Sequence, residues 1–384
     1  MLRTKNRIIK VLIDATEITS ERQHASIPIY IMRFLSCVAK EDRQYFYLLI
    51  SPKEKHFFLD KYPGFPLVEF NTEGYKNYYI QNLMSVFNKR KLNSIIETNN
   101  IDVFFVPTDI QTHTMFNVKC KKVCVVHDLK GLKKPSLNIS DAFHSHCLSK
   151  IYHNAICSSD KVIAISKYTK QDIMCYFPEI CSERIEVIYN SVDLPKNERR
   201  PKGFNSENYI LYVNTLHAYK NILTLIKAYG RICSKTTHDL LIVGKPTQYW
   251  DDVIVPYMKA NNFYNRVVNL YDLEDIELKF LYKNAKIFIT TSLREGFGYT
   301  PIEAAICKCP VIATIQEAIP DVTEGLLNYY YPAIDDEYLS NQMLHLINNP
   351  TSKERLTQIS DYYLMKYSTD NQYSAIMDLF YNLC

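Results

Sequence analysis

The sequence predicts an α/β protein of two doubly wound domains in tandem, and three observations carry that expectation. Short β-branched apolar runs alternate with longer helical patterns, as in parallel sheets joined by crossover helices. The pattern stops at a charged, proline-bearing stretch and then begins again. Finally, 384 residues exceed one ordinary domain, and a hydrophobic content of 47% is enough for two sizeable cores.

The first series is "IIKVLID" (8–14), "YFYLLIS" (45–51), "DVFFVP" (102–107), "KVCVVHD" (122–128) and "KVIAIS" (161–166). Each is short and bounded by polar or turn residues, as buried strands are. Between them, "IPIYIMRFLSCVAK" and "YIQNLMSVFNKRKLNSIIETN" have helical spacing. After "IEVIYNSVDLP", the stretch "KNERRPKGFNSEN" (196–208) reads as an interdomain linker. The second series is "YILYVN" (209–214), "LLIVG" (240–244), "VVNLYD" (267–272), "KIFITT" (286–291) and "PVIAT" (310–314). The expected domains are residues 1–195 and 209–364, followed by a helix over 365–384 with apolar spacing at three and four. Ligands of such sheets sit at the carboxyl ends of the strands, which directs attention to a cleft between the domains.

Composition narrows the class. The 11 cysteines include no C-x-x-C pair, and their spacings match no zinc site. Scattered through apolar runs, they suggest a reducing cytosol; Cys307 and Cys309, at a helix end, read as buried thiols. Basic residues precede the first apolar run, as in a secretory leader. That run is only about six residues long and contains Lys10, so it reads as a first strand. No stretch approaches the ~20 apolar residues that span a bilayer. A soluble, cytoplasmic chain, at most peripheral to a membrane, is expected. The net charge of +4 divides into +7 over residues 1–190 and −3 over the rest. A basic first half suits either an acidic partner such as a membrane surface or an ordinary solvated face. Dispersed charge without a recognition motif argues against nucleic acid.

The chain has only nine glycines, yet two of them lie within "FITTSLREGFGYTPIEAAICKCPVIAT" (288–314), between Glu295 and Glu303. Strand "KIFITT" ends just before Glu295, which puts this carboxylate at the sheet's carboxyl edge. Gly296 and Gly298 permit close approach of a ligand to the backbone. Thr300, Pro301 and Glu303 have the spacing of an N-cap, a first helical proline and a capping box. Two readings of Glu303 therefore stand together: a cap for helix amides, or a ligand-binding acid. A strand end, a glycine turn and a helix start form a cradle for an anion, and carboxylates beside it accept hydroxyl hydrogen bonds. The residues themselves point to a ligand with both phosphate and hydroxyls.

Glu295-x7-Glu303 with its inner Gly-Phe-Gly resembles the signature of the retaining GT-B glycosyltransferases of family 4, the group-1 glycosyltransferases. The resemblance extends to "YILYVNTLHAYKNILTLIKAY", to residues 267–314, and to "KVIAISKYTKQDI" and "IEVIYNSVDL". It covers about 300 residues. It implies two Rossmann-like domains facing across a cleft, with the C-terminal helix crossing back to the first. It also implies a nucleotide-sugar donor in the second domain and a glycan or lipid-linked acceptor in the first.

The resemblance assigns Glu295, with Gly296, Phe297 and Gly298, to the transferred sugar, and Glu303 to the ribose hydroxyls. Lys220, in "HAYKN", matches the basic residue that neutralises the donor diphosphate; by position alone it reads as an exposed loop lysine. Thr215 and Tyr219 occupy positions where many relatives carry a second basic residue. His127 matches a histidine that contacts the donor sugar, though a satisfied, partly buried histidine reads the same way. Asp128 is expected to support the loop. No D-x-D pair is present to hold a metal with the diphosphate, so a metal-independent, retaining transfer is implied, in which the leaving phosphate deprotonates the acceptor on the same face. The C-terminal pattern resembles mannosyltransferases best, so mannose from GDP-mannose is favoured over a UDP-sugar. Synthesis of a surface polysaccharide is the implied setting.

The chain departs from the family pattern where relatives carry a glycine-rich loop of the type "TGIGRY". Here "ASIPIY" has Ser26 and Pro28 in place of glycines. Asn214 and Lys308 replace two further glycines. Two rivals follow. A GT-B epimerase would act on a nucleotide sugar without an acceptor, and a catalytically silent partner protein would be indifferent to Glu295→Ala.

Overall fold

The computed structural model describes residues 8–21, 26–71, 78–108, 116–133 and 139–384, with 78–86 and 139–144 as backbone only. The basic residues of the leader-like start (residues 1–7) and Ala25 of "ASIPIY" lie outside the described residues. The chain forms two compact units, Met1–Ser191 with Thr369–Cys384, and Val192–Ser368.

In the first unit the strands are β1 (Val11–Asp14), β2 (Phe46–Ile50), β3 (Leu67–Glu69), β4 (Val103–Val106), β5 (Lys121–Val126), β6 (Lys161–Ala164) and β7 (Ile185–Val187). The intervening helices are α1 (Ser26–Cys37), α2 (Lys55–Lys61), α3 (Tyr78–Asn99), α4 (Ile139–Cys157) and α5 (Lys167–Tyr176). All strand pairs are parallel, in the order β3-β2-β1-β4-β5-β6-β7. Strand order reverses between β1 and β4, the switch point of a doubly wound sheet. Central strands such as β1 and β4 are buried along their whole length, which explains their unbroken apolar runs. One core cluster joins Leu12, Phe104 and Val126 of the sheet to Ile96, Ile156 and Ile173 of the helices.

The second unit repeats the plan. Its strands are β8 (Tyr209–Val213), β9 (Asp239–Val243), β10 (Val267–Leu270), β11 (Ile287–Thr290), β12 (Val311–Thr314) and β13 (Asn328–Tyr330). Its helices are α6 (Ile222–Ile232), α7 (Val255–Ala260), α8 (Asp275–Asn284), α9 (Tyr299–Ile306), α10 (Ile319–Thr323), α11 (Asp336–Asn348) and α12 (Lys353–Lys366). The parallel order is β10-β9-β8-β11-β12-β13, with the switch point between β8 and β11. Among the described residues, ten of the thirteen strands coincide with the apolar runs read from the sequence. The other three, β3, β7 and β13, are three-residue outer strands, too short and too polar to show a pattern.

The division differs from the expected one by four residues at each crossing. Residues 196–208 are not a free linker but lie along the second unit. Arg199 pairs with Glu274 at 2.7 Å and Glu277 at 3.2 Å. Phe204 is buried against Tyr209, and Lys279 donates to the Pro195 carbonyl at 2.6 Å. The second crossing comes after α12 because Tyr367 packs edge-on against Phe297 and its carbonyl accepts from the Val192 amide at 2.8 Å. The final helix, α13 (Thr369–Leu383), belongs to the first unit. There Tyr373 and Phe380 meet Phe34 of α1, and Phe380 also meets Phe105 of β4.

Ser26 and Pro28 open helix α1 instead of a loop. Pro28 falls in the first turn, where its missing N–H has no intrahelical acceptor to lose. Lys308 has φ of 61°, a left-handed conformation that glycine adopts at less cost. Cys309 is buried as expected, while Cys307 is only partly covered. Among the described residues no helix is long and apolar enough to cross a membrane.

Lys122 of β5 is a buried cation that donates to Ser158 Oγ at 2.7 Å. Burial lowers its pKa from 10.5 to about 8, so the unfolded chain holds this proton more tightly than the folded chain does. Between those pH values the unfolded state binds more protons, and the group's contribution to stability rises with pH, by up to about 3 kcal/mol. Partly buried groups such as Cys120, raised to about 12, pull the other way, so the contribution has to be isolated by difference. Urea unfolding should show wild type gaining stability relative to Lys122→Met from pH 8 to 10.5. A difference independent of pH would contradict this account.

Candidate functional site

The switch point of the second sheet brings two of the candidate residues into contact. β8 and β11 are neighbours, so the loops leaving their carboxyl ends face each other. The first carries Lys220 and the second Glu295. Lys220 Nζ donates to Glu295 Oε1 at 2.6 Å, with side chains only 8% and 14% exposed. The loop reading of Lys220 as an exposed lysine is therefore incorrect. The short helical turn Ala218–Lys220 aims its ammonium along the sheet edge instead of into solvent.

The backbone around this pair is anchored. The Lys220 carbonyl accepts from Thr291 Oγ1 at 2.9 Å and from the Tyr212 hydroxyl at 3.3 Å. Burial pushes the Tyr212 hydroxyl far up, so it acts as a fixed donor. Asn221 follows in the left-handed region at φ of 55°. Its side chain donates to the Ala333 carbonyl and accepts from Thr224, fixing the start of α6. Tyr219 lies flat against His217, and its ring centroid is 5.3 Å from Lys220 Nζ. Thr215 is exposed just past β8, its amide bonded to Asn214 Oδ1.

Glu295 is also held through its backbone. Its amide donates to Glu317 Oε2 at 2.8 Å, and its carbonyl accepts from the Ala318 amide. Glu317, in the loop after β12, has φ of 48°, a conformation that only its surroundings make stable for a non-glycine residue. Gly298 has φ of 88°, a left-handed conformation that favours glycine, and an added Cβ would also press on the Ile319 Cδ1 methyl at 2.5 Å. The Phe297 ring is buried between Tyr299 and Tyr367, so this residue can offer a ligand only its backbone.

The capping-box reading of Glu303 is corrected. α9 begins at Tyr299 with left-handed Gly298 as its cap and no side-chain cap, so Thr300 is the second helical residue and Glu303 the fifth. The glycine turn delivers the chain into the helix two residues earlier than Thr-Pro spacing implies. Glu303 Oε2 accepts instead from the Tyr282 hydroxyl of α8 at 3.0 Å. Burial, and then the Glu303 carboxylate, hold that hydroxyl well above its ordinary pKa, so it remains a donor.

His127, in the first unit, lies just past β5. Its Nε2 is 2.9 Å from the Pro107 carbonyl, and its ring meets the edge of Tyr30 at 5.1 Å. Asp128 pairs with Lys130 at 2.9 Å and accepts its amide, the loop-supporting role expected of it. Sequence reading missed Glu317, Tyr282, Thr291, Tyr212 and Asn221. Asp14, fully buried at the end of β1 and bonded to Thr16, was missed as well. Each acts through a residue distant in sequence or through a turn conformation, and neither leaves a periodic signal.

Residues 195–361 match the family model for glycosyl transferases group 1, and residues 42–196 match that for glycosyltransferase family 4. Over 266 residues the chain is 27% identical to the O-antigen chain mannosyltransferase RfbU of Salmonella typhimurium, covering 68% of this chain and 69% of that one. A glycosyltransferase structure from Rickettsia africae shares the fold with a TM-score of 0.72, at 17% identity over 99% of both chains. The Anabaena protein HepE, solved in complex with UDP, does so with a TM-score of 0.71, at 15% identity over 98% of this chain and 100% of that one.

Proposed function

The chain belongs to the family 4 glycosyltransferases and has the GT-B fold, and from that premise we propose that it is a retaining hexosyltransferase acting on a nucleotide-sugar donor. The observation that supports this reading best is the buried Lys220–Glu295 pair at the β8/β11 switch point. A cation and a carboxylate held 2.6 Å apart at a sheet's carboxyl edge match the two halves of a sugar diphosphate. On binding, the ammonium turns to the diphosphate, and the released carboxylate accepts the sugar hydroxyls. Amides at the start of α9 add positive potential beside the phosphates. The bond from the anomeric carbon to the diphosphate breaks while the acceptor oxygen bonds to the same face. The acceptor's proton passes to the departing phosphate oxygen. Lys220 and the helix N-terminus carry the developing negative charge in a metal-independent step.

Glu303, fixed by Tyr282, takes the ribose hydroxyls; a carboxylate has enough lone pairs to keep its tyrosine and accept these as well. His127 takes the family role of touching the transferred sugar. Thr215 and the Gly296–Gly298 backbone line the donor. Mannose from GDP-mannose is the favoured donor, in line with the mannosyltransferase relative. A glycan or lipid-linked glycan of a surface polysaccharide is the favoured acceptor. The basic first half is suited to a peripheral contact at the inner face of the cytoplasmic membrane.

A thermal-shift panel with GDP, UDP, dTDP and ADP tests the donor without knowledge of the acceptor. GDP should raise the wild-type midpoint, with about 2.7 kcal/mol expected at 100 times its Kd. Glu303→Ala should lose most of that gain. A response to UDP alone would reject the GDP assignment. No response to any nucleotide would favour the silent partner protein.

A further inference from the structure

Outside the donor site, one side-chain cluster of the first unit has no part in the reaction above. His153 and Cys157 stand four residues apart on α4, so they share one face of its last turns. Glu179, in the loop after α5, reaches the same point. His153 Nε2 lies 2.8 Å from Glu179 Oε1 and 3.6 Å from Cys157 Sγ, and all three donor atoms fall within 4.8 Å of one another. We propose that His153, Cys157 and Glu179 bind a divalent ion of the zinc class, with a solvent molecule as fourth ligand.

The spacing favours an ion. Bonds of about 2.0–2.3 Å in a tetrahedral site put donor atoms roughly 3.3–3.8 Å apart. The His153 Nε2–Cys157 Sγ separation lies inside that range and the other two lie within ~1 Å of it, a distance that rotation of these side chains covers. An imidazole, a thiolate and one carboxylate select zinc or cobalt over magnesium or calcium, which take oxygen donors.

Contacts outside the trio hold its members in place. His153 Nδ1 faces Asn154 Oδ1 at 3.3 Å; a proton shared there leaves Nε2 for the ion. The Phe177 ring, itself buried, packs against His153 with centroids 5.9 Å apart. Arg184 donates to the Cys157 carbonyl at 2.9 Å, tying the segment that follows Glu179 to the end of α4. His153 and Glu179 are 44% and 49% exposed, so a hydrated ion can enter. Coordination exchanges the thiol proton, released to solvent, for the sulfur–metal bond, with no change of oxidation state. In sequence, one histidine and one cysteine four apart with a glutamate 22 residues later form no recognised zinc pattern, which accounts for the expectation of none.

The experiment titrates the full chain, reduced and stripped with EDTA, with Co²⁺ under anaerobic conditions. One equivalent should produce a thiolate-to-cobalt charge-transfer band and the visible bands of a tetrahedral centre, both displaced by Zn²⁺. Cys157→Ser should remove the charge-transfer band although ten other cysteines remain. His153→Gln and Glu179→Gln should each weaken Co²⁺ binding by about tenfold or more. These two side chains are half exposed, so their metal-free midpoints should match wild type and show that folding is intact. Three results would each overturn the site: no saturable band, a band that survives Cys157→Ser, or an affinity unchanged by His153→Gln or by Glu179→Gln.

Discussion

Glu295→Gln should lower kcat by about 10²–10³-fold while leaving the nucleoside diphosphate affinity within a few-fold of wild type. The amide keeps the shape of the carboxylate and can still accept from Lys220, so the loop should keep its conformation. What is lost is the charge that complements the transferred sugar as positive character develops at its anomeric carbon. Because that interaction grows toward the transition state, the loss should fall on kcat more than on KM. Glu317 continues to accept from the amide of residue 295, so the backbone of the glycine turn stays in place. Steady-state kinetics with the donor identified by the thermal-shift panel checks this. Equal activity of the variant and wild type would remove Glu295 from the reaction and support the partner-protein reading.

Lys220→Met should lower nucleoside diphosphate affinity by about tenfold or more and depress kcat as well, because the cation meets the diphosphate both before and during its departure. A second effect separates this variant from a simple binding defect. Removing one member of a mostly buried ion pair leaves the other uncompensated, which costs up to about 3–5 kcal/mol when burial is complete. Glu295 is 14% exposed, so the loss should be smaller but visible as a reduced midpoint in the absence of ligand. In the double variant Lys220→Met/Glu295→Gln no uncompensated charge remains. Its midpoint should recover toward wild type while its activity stays low. A double variant as unstable as Lys220→Met would mean that the stability loss comes from packing of the lysine stem, not from charge.

The doubly wound architecture was legible in the sequence because its central strands are buried on both faces. Strands such as "VLID" and "VFFV" must be apolar at every position, and such runs stand out. The strands that were not legible, "LVE", "IEV" and "NYY", have three residues each and partly exposed faces. The candidate site divides in the same way. Glu295, Gly296, Gly298 and Glu303 lie within nine residues on one loop and its helix, and their spacing alone made them candidates. The start of α9 was misjudged because a left-handed glycine can stand at the head of a helix where Thr300 was expected, and φ above zero at one residue leaves no mark in the spacing.

By itself, then, the sequence determined the alternation of strands and helices, the two-part division and the identity of the acids beside the glycine turn. These are local properties, set by burial and by the backbone freedom of individual residues. The tertiary structure decided the partners. Lys220 meets Glu295 across 75 residues, Tyr282 meets Glu303, and Glu317 meets the Glu295 amide. His153 and Cys157 meet Glu179 in the same manner. Such pairs form because strand order reverses at a switch point, because two helices pack side by side, or because a loop folds back over a helix end. None of these events leaves a periodic trace in the chain, since the energy that fixes it comes from cores assembled out of distant segments.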